Sequence, residues 1–319
     1  RIAIAGGGIS GLSLAYALLE KNPSLDVTVF EADHRPGGKI YTEKVGDYLC
    51  EASVNGFLDN KPATLELAKK IHLPPLRSND NARFRYIYFD GALRMIPTEP
   101  AKFFLSNFLS VGGRLRMLGE YLVPQKLNDD ESLKDFAVRR VGLEFYEKLL
   151  DPMASGIYAG DPEQMSIRSC FAKVYDLERN YGGLIKGFLA IAKEKKKAGG
   201  GGKVEAGPGG TLMSFENGMY SLVETLAGIL GSRLLTNKCI VGVDKKDKGY
   251  SLHFSDGSRA DADVVVFTTP AFDTASLLRD IAPEIHVLLR DIPYPALSVV
   301  ALGYRREQIK RDLNLFGFL

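Results

Sequence analysis

An α/β fold is predicted, a parallel sheet with a β-meander interrupted by a long helical insertion, and three observations predict it. A short apolar run, Arg1-Ile-Ala-Ile-Ala5, leads straight into Gly6-Gly7-Gly8-Ile9-Ser10-Gly11 and then into an apolar repeat of period near 3.6 at Ile9, Leu12, Ala15, Tyr16 and Leu19. Strand-like apolar runs recur at Asp26–Phe30 and, far along the chain, at Asp263–Phe267. Residues 61–203 lose that strand character and take up helical spacing.

Composition excludes several classes before any motif is read. The 319 residues are 45% hydrophobic and 25% charged, which is globular rather than disordered or fibrous. Forty-one Lys+Arg against 39 Asp+Glu give a net charge of +2, too little for nucleic-acid binding by bulk electrostatics. The three cysteines, Cys50, Cys170 and Cys239, are widely spaced, form no CxxC pair and have four histidines beside them. That predicts a reducing, cytoplasmic compartment and no structural metal. No apolar run approaches the roughly 18 residues a membrane-spanning helix needs. The chain opens at Arg1 without an initiator Met, so at least one residue is expected to precede it.

Strand, glycine turn and helix set up the first candidate site. Gly6 permits a tight turn, Gly8 lets a pyrophosphate approach the backbone, and Gly11 lets helix pack close to strand. Ile9 and Ser10 open the helix, whose N-terminal N–H groups and positive dipole end face the phosphates. Glu31 ends the second strand twenty residues after Gly11, where a ribose hydroxyl needs an acid. Glu31-Ala32-Asp-His-Arg35-Pro-Gly37-Gly38-Lys39 then supplies a cation for the pyrophosphate and two glycines that let the chain run flat against a bulky planar cofactor, FAD rather than NAD.

On these two motifs, GxGxxG followed by E-x-x-x-R-x-G-G, the sequence resembles the large FAD family of amine oxidases, phytoene desaturases and protoporphyrinogen oxidases. The resemblance implies an FAD-binding Rossmann-type domain with inserted substrate-binding and helical membrane-associating regions. It also implies that Ser53, Val54, Asn55 and Gly56 form a loop passing the flavin, with Ser53-Val54 where relatives have Gly-Pro. Asn55 stands where several protoporphyrinogen oxidases carry arginine, so a propionate-binding role does not carry over to it.

In the insertion, a hairpin is expected at Tyr86–Ile96, turned at Asp90-Gly91, after a short helix at Leu65–Ile71. Pro100–Ser110 and Gly112–Val123 are rich in Phe and Leu beside Lys102, Arg114 and Arg116, a make-up that suits core packing first and a membrane interface second. Ser132–Leu150 reads as one helical block with Leu133, Phe136, Ala137 and Val141 inward and its charges solvated. Asp151–Phe171 reads as a glycine-rich turn between helices, with Asp161-Pro162 starting a helix. Its run Gly156-Ile-Tyr158-Ala159-Gly160-Asp-Pro resembles the protoporphyrinogen oxidase subfamily, which implies that Gly156, Tyr158, Ala159 and Gly160 lie near a macrocycle cavity. Cys170 is expected to fill core, and Lys193–Lys203 to be a solvated loop.

The chain then returns to the sheet. Gly210–Leu230 predicts strand, turn and helix, with Asn217-Gly218 tolerating positive φ. Leu234–Val243 predicts one strand, whose Ile240 backbone meets the adenine by resemblance. A hairpin turned at Asp256-Gly257 leads into the buried strand Asp263–Phe267, and a helix at Phe272–Ile281 and a strand at Leu297–Tyr304 follow. His253 is expected at the surface. The expected organisation is therefore 1–60 and 204–270 as the two parts of the cofactor domain, 61–203 as the helical substrate and membrane-associating region, and 271–319 as the start of a substrate-domain sheet. Relatives continue beyond it.

No Ser-His-Asp set, Cys-His nucleophile or spaced metal cluster is present in the sequence, which suits an enzyme whose cofactor does the chemistry. The resemblance implies an FAD-dependent oxidase that removes six electrons from protoporphyrinogen IX and reduces oxygen to peroxide, with no acid/base residue named. Coproporphyrinogen III oxidation is the near alternative. Amine oxidation or carotenoid desaturation and a non-catalytic flavin scaffold are the distant ones. Partners implied are a porphyrinogen, oxygen and a membrane surface.

Overall fold

The structure, a computed structural model, describes residues 1–79, 84–97, 100–126, 130–197, 210–310, 313 and 317–319. They divide into two compact units, 1–78 with 210–294 and 298–310, and 79–209 with 295–297 and 311–319.

The first unit is built on a parallel sheet. Strand β1 (Ile2–Ala5) runs into helix α1 (Ile9–Lys21) and returns as β2 (Val27–Phe30), and helix α2 (Tyr220–Leu230) packs on α1. Short strand β3 (Leu234–Leu235) and strand β4 (Val264–Phe267) complete the order β3-β2-β1-β4. Ile2 pairs with both Val27 and Val264, so β1 joins segments 237 residues apart in the chain. Ile4, Leu12, Ala15 and Val29 interlock with Leu222, Val223 and Leu226 of α2 in one buried cluster. The predicted helical face of α1 is the face that is buried.

An antiparallel meander, Ile240–Lys245, Tyr250–Phe254 and Arg259–Ala262, covers the other side of β1 and β2 through Phe254, Leu252 and Val243. Its second turn is the expected one, with Gly257 at φ +82°. The single strand predicted over Leu234–Val243 is instead two. The chain breaks at residues 236–239, where Asn237 is left-handed and the N–H groups of Asn237 and Lys238 donate to the carbonyls of Asp33 and Glu31. β4 is half-buried rather than buried, because it occupies the sheet edge. Of Asn217-Gly218, Gly218 alone takes positive φ.

Two further departures follow Pro270. A second helix, Pro283–Arg290, succeeds Ala271–Leu278. Leu297–Tyr304 is no strand; Leu297, Val300 and Leu302 are 69–76% exposed, and no described strand pairs with the segment. Apolar alternation creates the propensity, but a ladder partner makes the strand.

In the second unit the hairpin Arg85–Phe89 and Ala92–Met95 turns at Asp90-Gly91, both at positive φ as a two-residue primed turn needs. Ser110, Ser132 and Ser166 each cap a helix by accepting the N–H three residues on, at 3.0 Å. Leu133–Val141 is helical as expected; Gly142 at φ +96° breaks the expected single block there, and helical turns resume over residues 143–150. Asp151–Tyr158 is a helix rather than a turn. Gly156 serves a close approach there, since a Cβ on it would collide with Leu319, and left-handed Ala159 ends the helix. Asp161 folds a tight turn by accepting from Glu163, and the next helix begins at Ile167. Lys193–Lys197 belongs to the helix Leu184–Lys197, not to a loop, while residues 198–203 lie outside the described ones.

The charges of Ser132–Leu150 are not all solvated. Arg140 is fully buried and bonds Glu120 at 3.1 Å, the Val123 carbonyl at 3.0 Å, and Glu178. Glu120 in turn accepts the N–H groups of Leu184 and Ile185 at 2.7 and 3.0 Å, which caps the helix they begin. Arg139 bridges Glu178 at 2.9 Å and Glu131. Four segments thus meet on one buried ionic hub. The Phe/Leu-rich segments divide in two: Phe103, Phe108 and Leu109 are core, while Leu105, Val111, Leu115, Leu118 and Leu122 are exposed.

Candidate functional site: the glycine turn and the segments around it

The turn between β1 and α1 has a different reason for each glycine. Gly6 sits at φ +102°. A Cβ on Gly11 would collide with the Gly6 carbonyl, so this glycine sets the distance between helix and strand. Gly7 is buried, and its N–H donates to Glu31 Oε2 at 2.7 Å. Gly8 is the odd one out: its backbone is ordinary, φ −69°, and a Cβ on it would meet nothing within 4 Å. The open space lies at the N-cap of α1, which has no side-chain cap and no acid in its first turn. The first-turn N–H groups there have no intrahelical partners, and the dipole favours an anion.

Glu31 is oriented by two backbone donors, Gly7 on Oε2 and Asp33 on Oε1 at 2.9 Å. A carboxylate has about four acceptor sites, so its remaining lone pairs can take hydroxyl donors. Gly37 donates to the Gly7 carbonyl at 2.8 Å and Gly38 approaches the Cα of Gly8, so the second motif folds back on the first. The Arg35 guanidinium lies 4.3 Å over the Tyr41 ring, with long bonds of 3.4 and 3.5 Å to the carbonyls of Pro36 and Gly38. Ala32, Ser10 and Lys39 are exposed along this rim, and Ile9 is half-buried. Ile240 starts its strand just after the 236–239 loop that is tied to Glu31 and Asp33. Of the Ser53–Gly56 loop, Val54 packs on the core, a Cβ on Gly56 would collide with the Met213 carbonyl, and Ser53 and Asn55 are exposed.

An open space before an uncapped helix N-terminus, a pre-oriented carboxylate and a nearby guanidinium fit the pyrophosphate and ribose of a dinucleotide. Gly156, Tyr158, Ala159 and Gly160 belong to the second unit. There the Tyr158 hydroxyl donates to the Cys170 carbonyl at 2.7 Å, the Tyr158 ring stands edge-on to Phe171, and burial pushes the phenol above its ordinary pKa.

Sequence reasoning missed two sets of residues. Thr268, just past β4, donates its hydroxyl to the carbonyls of Ala5 and Gly6, 2.9 Å from each, and packs where side chains on Gly6 or Gly11 would sit. Thr42 and Glu51 accept the first N–H groups of α2. For neither set does a local pattern exist, since both roles come from contacts more than 160 residues apart. His253, by contrast, is a partly exposed strand residue bonded to Asp244 at 2.6 Å.

A family model described as flavin containing amine oxidoreductase matches residues 9–317. Among curated relatives, protoporphyrinogen oxidase 1, chloroplastic, of Arabidopsis thaliana is 32% identical over 99% of this chain and 61% of its own length. Coproporphyrinogen III oxidase of Bacillus subtilis is 31% identical over 100% of this chain and 69% of its own. A crystal structure from Exiguobacterium sp. 255-15 superposes with a TM-score of 0.71 at 27% identity, covering 89% of this chain and 63% of that one. The chain thus spans about 61% of the chloroplast relative's length.

Proposed function

The chain belongs to the flavin-containing amine oxidoreductase family, its cofactor is FAD, and from that premise we propose that the protein oxidises a porphyrinogen, protoporphyrinogen IX to protoporphyrin IX, with oxygen as acceptor. The observation that carries this reading is that relatives named for porphyrinogen oxidation match this chain over nearly its full length at above 30% identity. Coproporphyrinogen III is the second reading, supported by the equally close Bacillus relative. Bound FAD would supply the hydride acceptor.

The chain's own residues do the holding. The backbone at Gly7, Gly8 and the start of α1 takes the pyrophosphate, Arg35 adds a cation to it, and Glu31 accepts from the adenosine ribose. Ser53, Val54 and Asn55 run along the flavin ring, Ile240 meets the adenine, and the Gly156–Gly160 segment contributes to the macrocycle cavity. Anaerobic addition of each porphyrinogen to the purified full-length protein tests the reaction. Bleaching of the flavin band near ~450 nm by one of them is expected, with peroxide formed once oxygen is admitted. A bound flavin that neither substrate reduces would leave amine oxidation or a non-catalytic scaffold.

We also place the protein at a membrane surface. No described helix is long and apolar enough to cross a bilayer. Leu105, Val111, Leu115, Leu118 and Leu122 are each at least half exposed within eighteen residues, with Arg114 among them. Co-sedimentation with phosphatidylcholine vesicles is expected, and Leu115→Ser with Leu122→Ser should reduce the bound fraction severalfold. Equal sedimentation of both proteins would remove this surface from the proposal.

A further inference from the structure

Both segments assigned above to the cofactor end at the same place. Thr42 follows Tyr41 directly, and Glu51 stands two residues before Ser53; the two are cross-strand partners in the hairpin Thr42–Val45 and Tyr48–Glu51. Their side chains bond each other at 2.7 Å, Thr42 Oγ1 donating to Glu51 Oε2. Each also accepts a backbone N–H from the start of α2: Met219 to Glu51 Oε1 at 2.8 Å, and Tyr220 to Thr42 Oγ1 at 3.0 Å. No residue of α2's own N-terminus supplies a side-chain cap, so the hairpin supplies it from outside. The fit is close, because a Cβ on Gly218 would collide with Thr42 and its φ of +87° excludes most other residues.

Tyr220 extends the grip. Its hydroxyl donates to the Pro36 carbonyl at 3.3 Å, its ring stands edge-on to Tyr41 with centroids 5.5 Å apart, and a side chain on Gly37 would press on it. Tyr41 in turn carries the Arg35 guanidinium. Burial pushes the Tyr220 phenol above its ordinary pKa. The segment 35–42 is therefore held at its start and its end by one helix terminus. An open concavity of about 360 Å³ beside Thr42 and Tyr220 leaves the junction with little other packing on that side.

We propose that Tyr220, Thr42 and Glu51 are positioning residues that set the conformation of the Arg35–Gly38 and Ser53–Gly56 segments for FAD, through the N-terminus of α2. The proposal rests on the assignment of FAD to this unit. Tyr220→Phe removes the bond to Pro36 and keeps the ring; Thr42→Val keeps the shape and removes both hydrogen bonds; Thr42→Ser keeps the hydroxyl.

The measurements are FAD affinity of the apoprotein by quenching of FAD fluorescence, the visible circular dichroism of bound flavin, and the melting midpoint of the apoprotein. The one hydrogen bond lost in Tyr220→Phe and the two lost in Thr42→Val, each of ordinary strength, correspond to roughly threefold and about tenfold weaker binding. The flavin dichroism should change in both, and Thr42→Ser should restore affinity and dichroism. A purely structural role would lower the apoprotein midpoint while leaving affinity and dichroism as in the wild type, and that result overturns the proposal. If the wild-type protein binds no FAD, the cofactor assignment fails and takes the proposal with it. Wild-type binding with unaltered variants defeats the proposal alone.

Discussion

Gly8→Ala is expected to leave the apoprotein folded, with a stability change of about 1 kcal/mol or less, and to weaken FAD binding about 100-fold. The first part follows from the site: φ is −69° at Gly8 and no atom lies within 4 Å of the added methyl. The second follows from the proposed use of that space: a pyrophosphate held there would come within hydrogen-bonding distance of the backbone N–H groups around Gly8, and a methyl in the way would remove one or two charge-assisted bonds of roughly 1.5–3 kcal/mol each. Gly11→Ala makes the contrast, because its methyl meets the Gly6 carbonyl and the Thr268 side chain and so destabilises the apoprotein itself. Urea unfolding of the two apoproteins and titration with FAD separate the effects. Wild-type affinity in Gly8→Ala would show that the pyrophosphate does not lie at this turn.

Arg140→Met should destabilise the second unit by roughly 3–5 kcal/mol, the loss expected when one partner of a fully buried ionic cluster is removed. Glu120 would remain buried without the cation it bonds and Glu178 with Arg139 alone, and Glu120 also caps the helix Leu184–Lys197. Arg139→Gln, at a side chain 24% exposed, should cost less. Denaturant unfolding monitored by circular dichroism reads both. Acid adds a signature with a definite sign. Burial pushes the Glu178 carboxyl up, but the bonds from Arg139 and Arg140 outweigh it and hold the carboxyl below its usual 4.5. A carboxylate with a depressed folded-state pKa stabilises fully above its unfolded value and loses that contribution as pH falls through the folded one. The wild type should therefore lose stability below about pH 4.5 more steeply than Arg140→Met. Equal stability of the variant at pH 7 would mean that the cluster does not hold the unit together.

The glycine turn was legible because its geometry is local. Gly6, Gly8, Gly11 and Glu31 lie within one βαβ unit, where spacing along the chain fixes position in space. The two hairpin turns, Asp90-Gly91 and Asp256-Gly257, were legible for the same reason. Gly156 misled because glycine has two uses. The glycine-rich run predicts a turn, whereas the structure uses the missing side chain of Gly156 to admit Leu319 beside a helix. Leu297–Tyr304 misled because an apolar pattern reports propensity and not the presence of a neighbouring strand.

By itself the sequence determined the family frame: the parallel sheet, the glycine turn, the acid at Glu31 and the Arg35-x-Gly37-Gly38 segment, each specified by residues near one another in the chain. Only the tertiary structure decided that Thr268 braces the turn, that Thr42 and Glu51 cap a helix some 170 residues later, and that Arg140 is buried among carboxylates. The physical reason is common to all three. An unpaired N–H, carbonyl or charge must find a partner once water is removed, and which residue provides it depends on which segments the fold brings together.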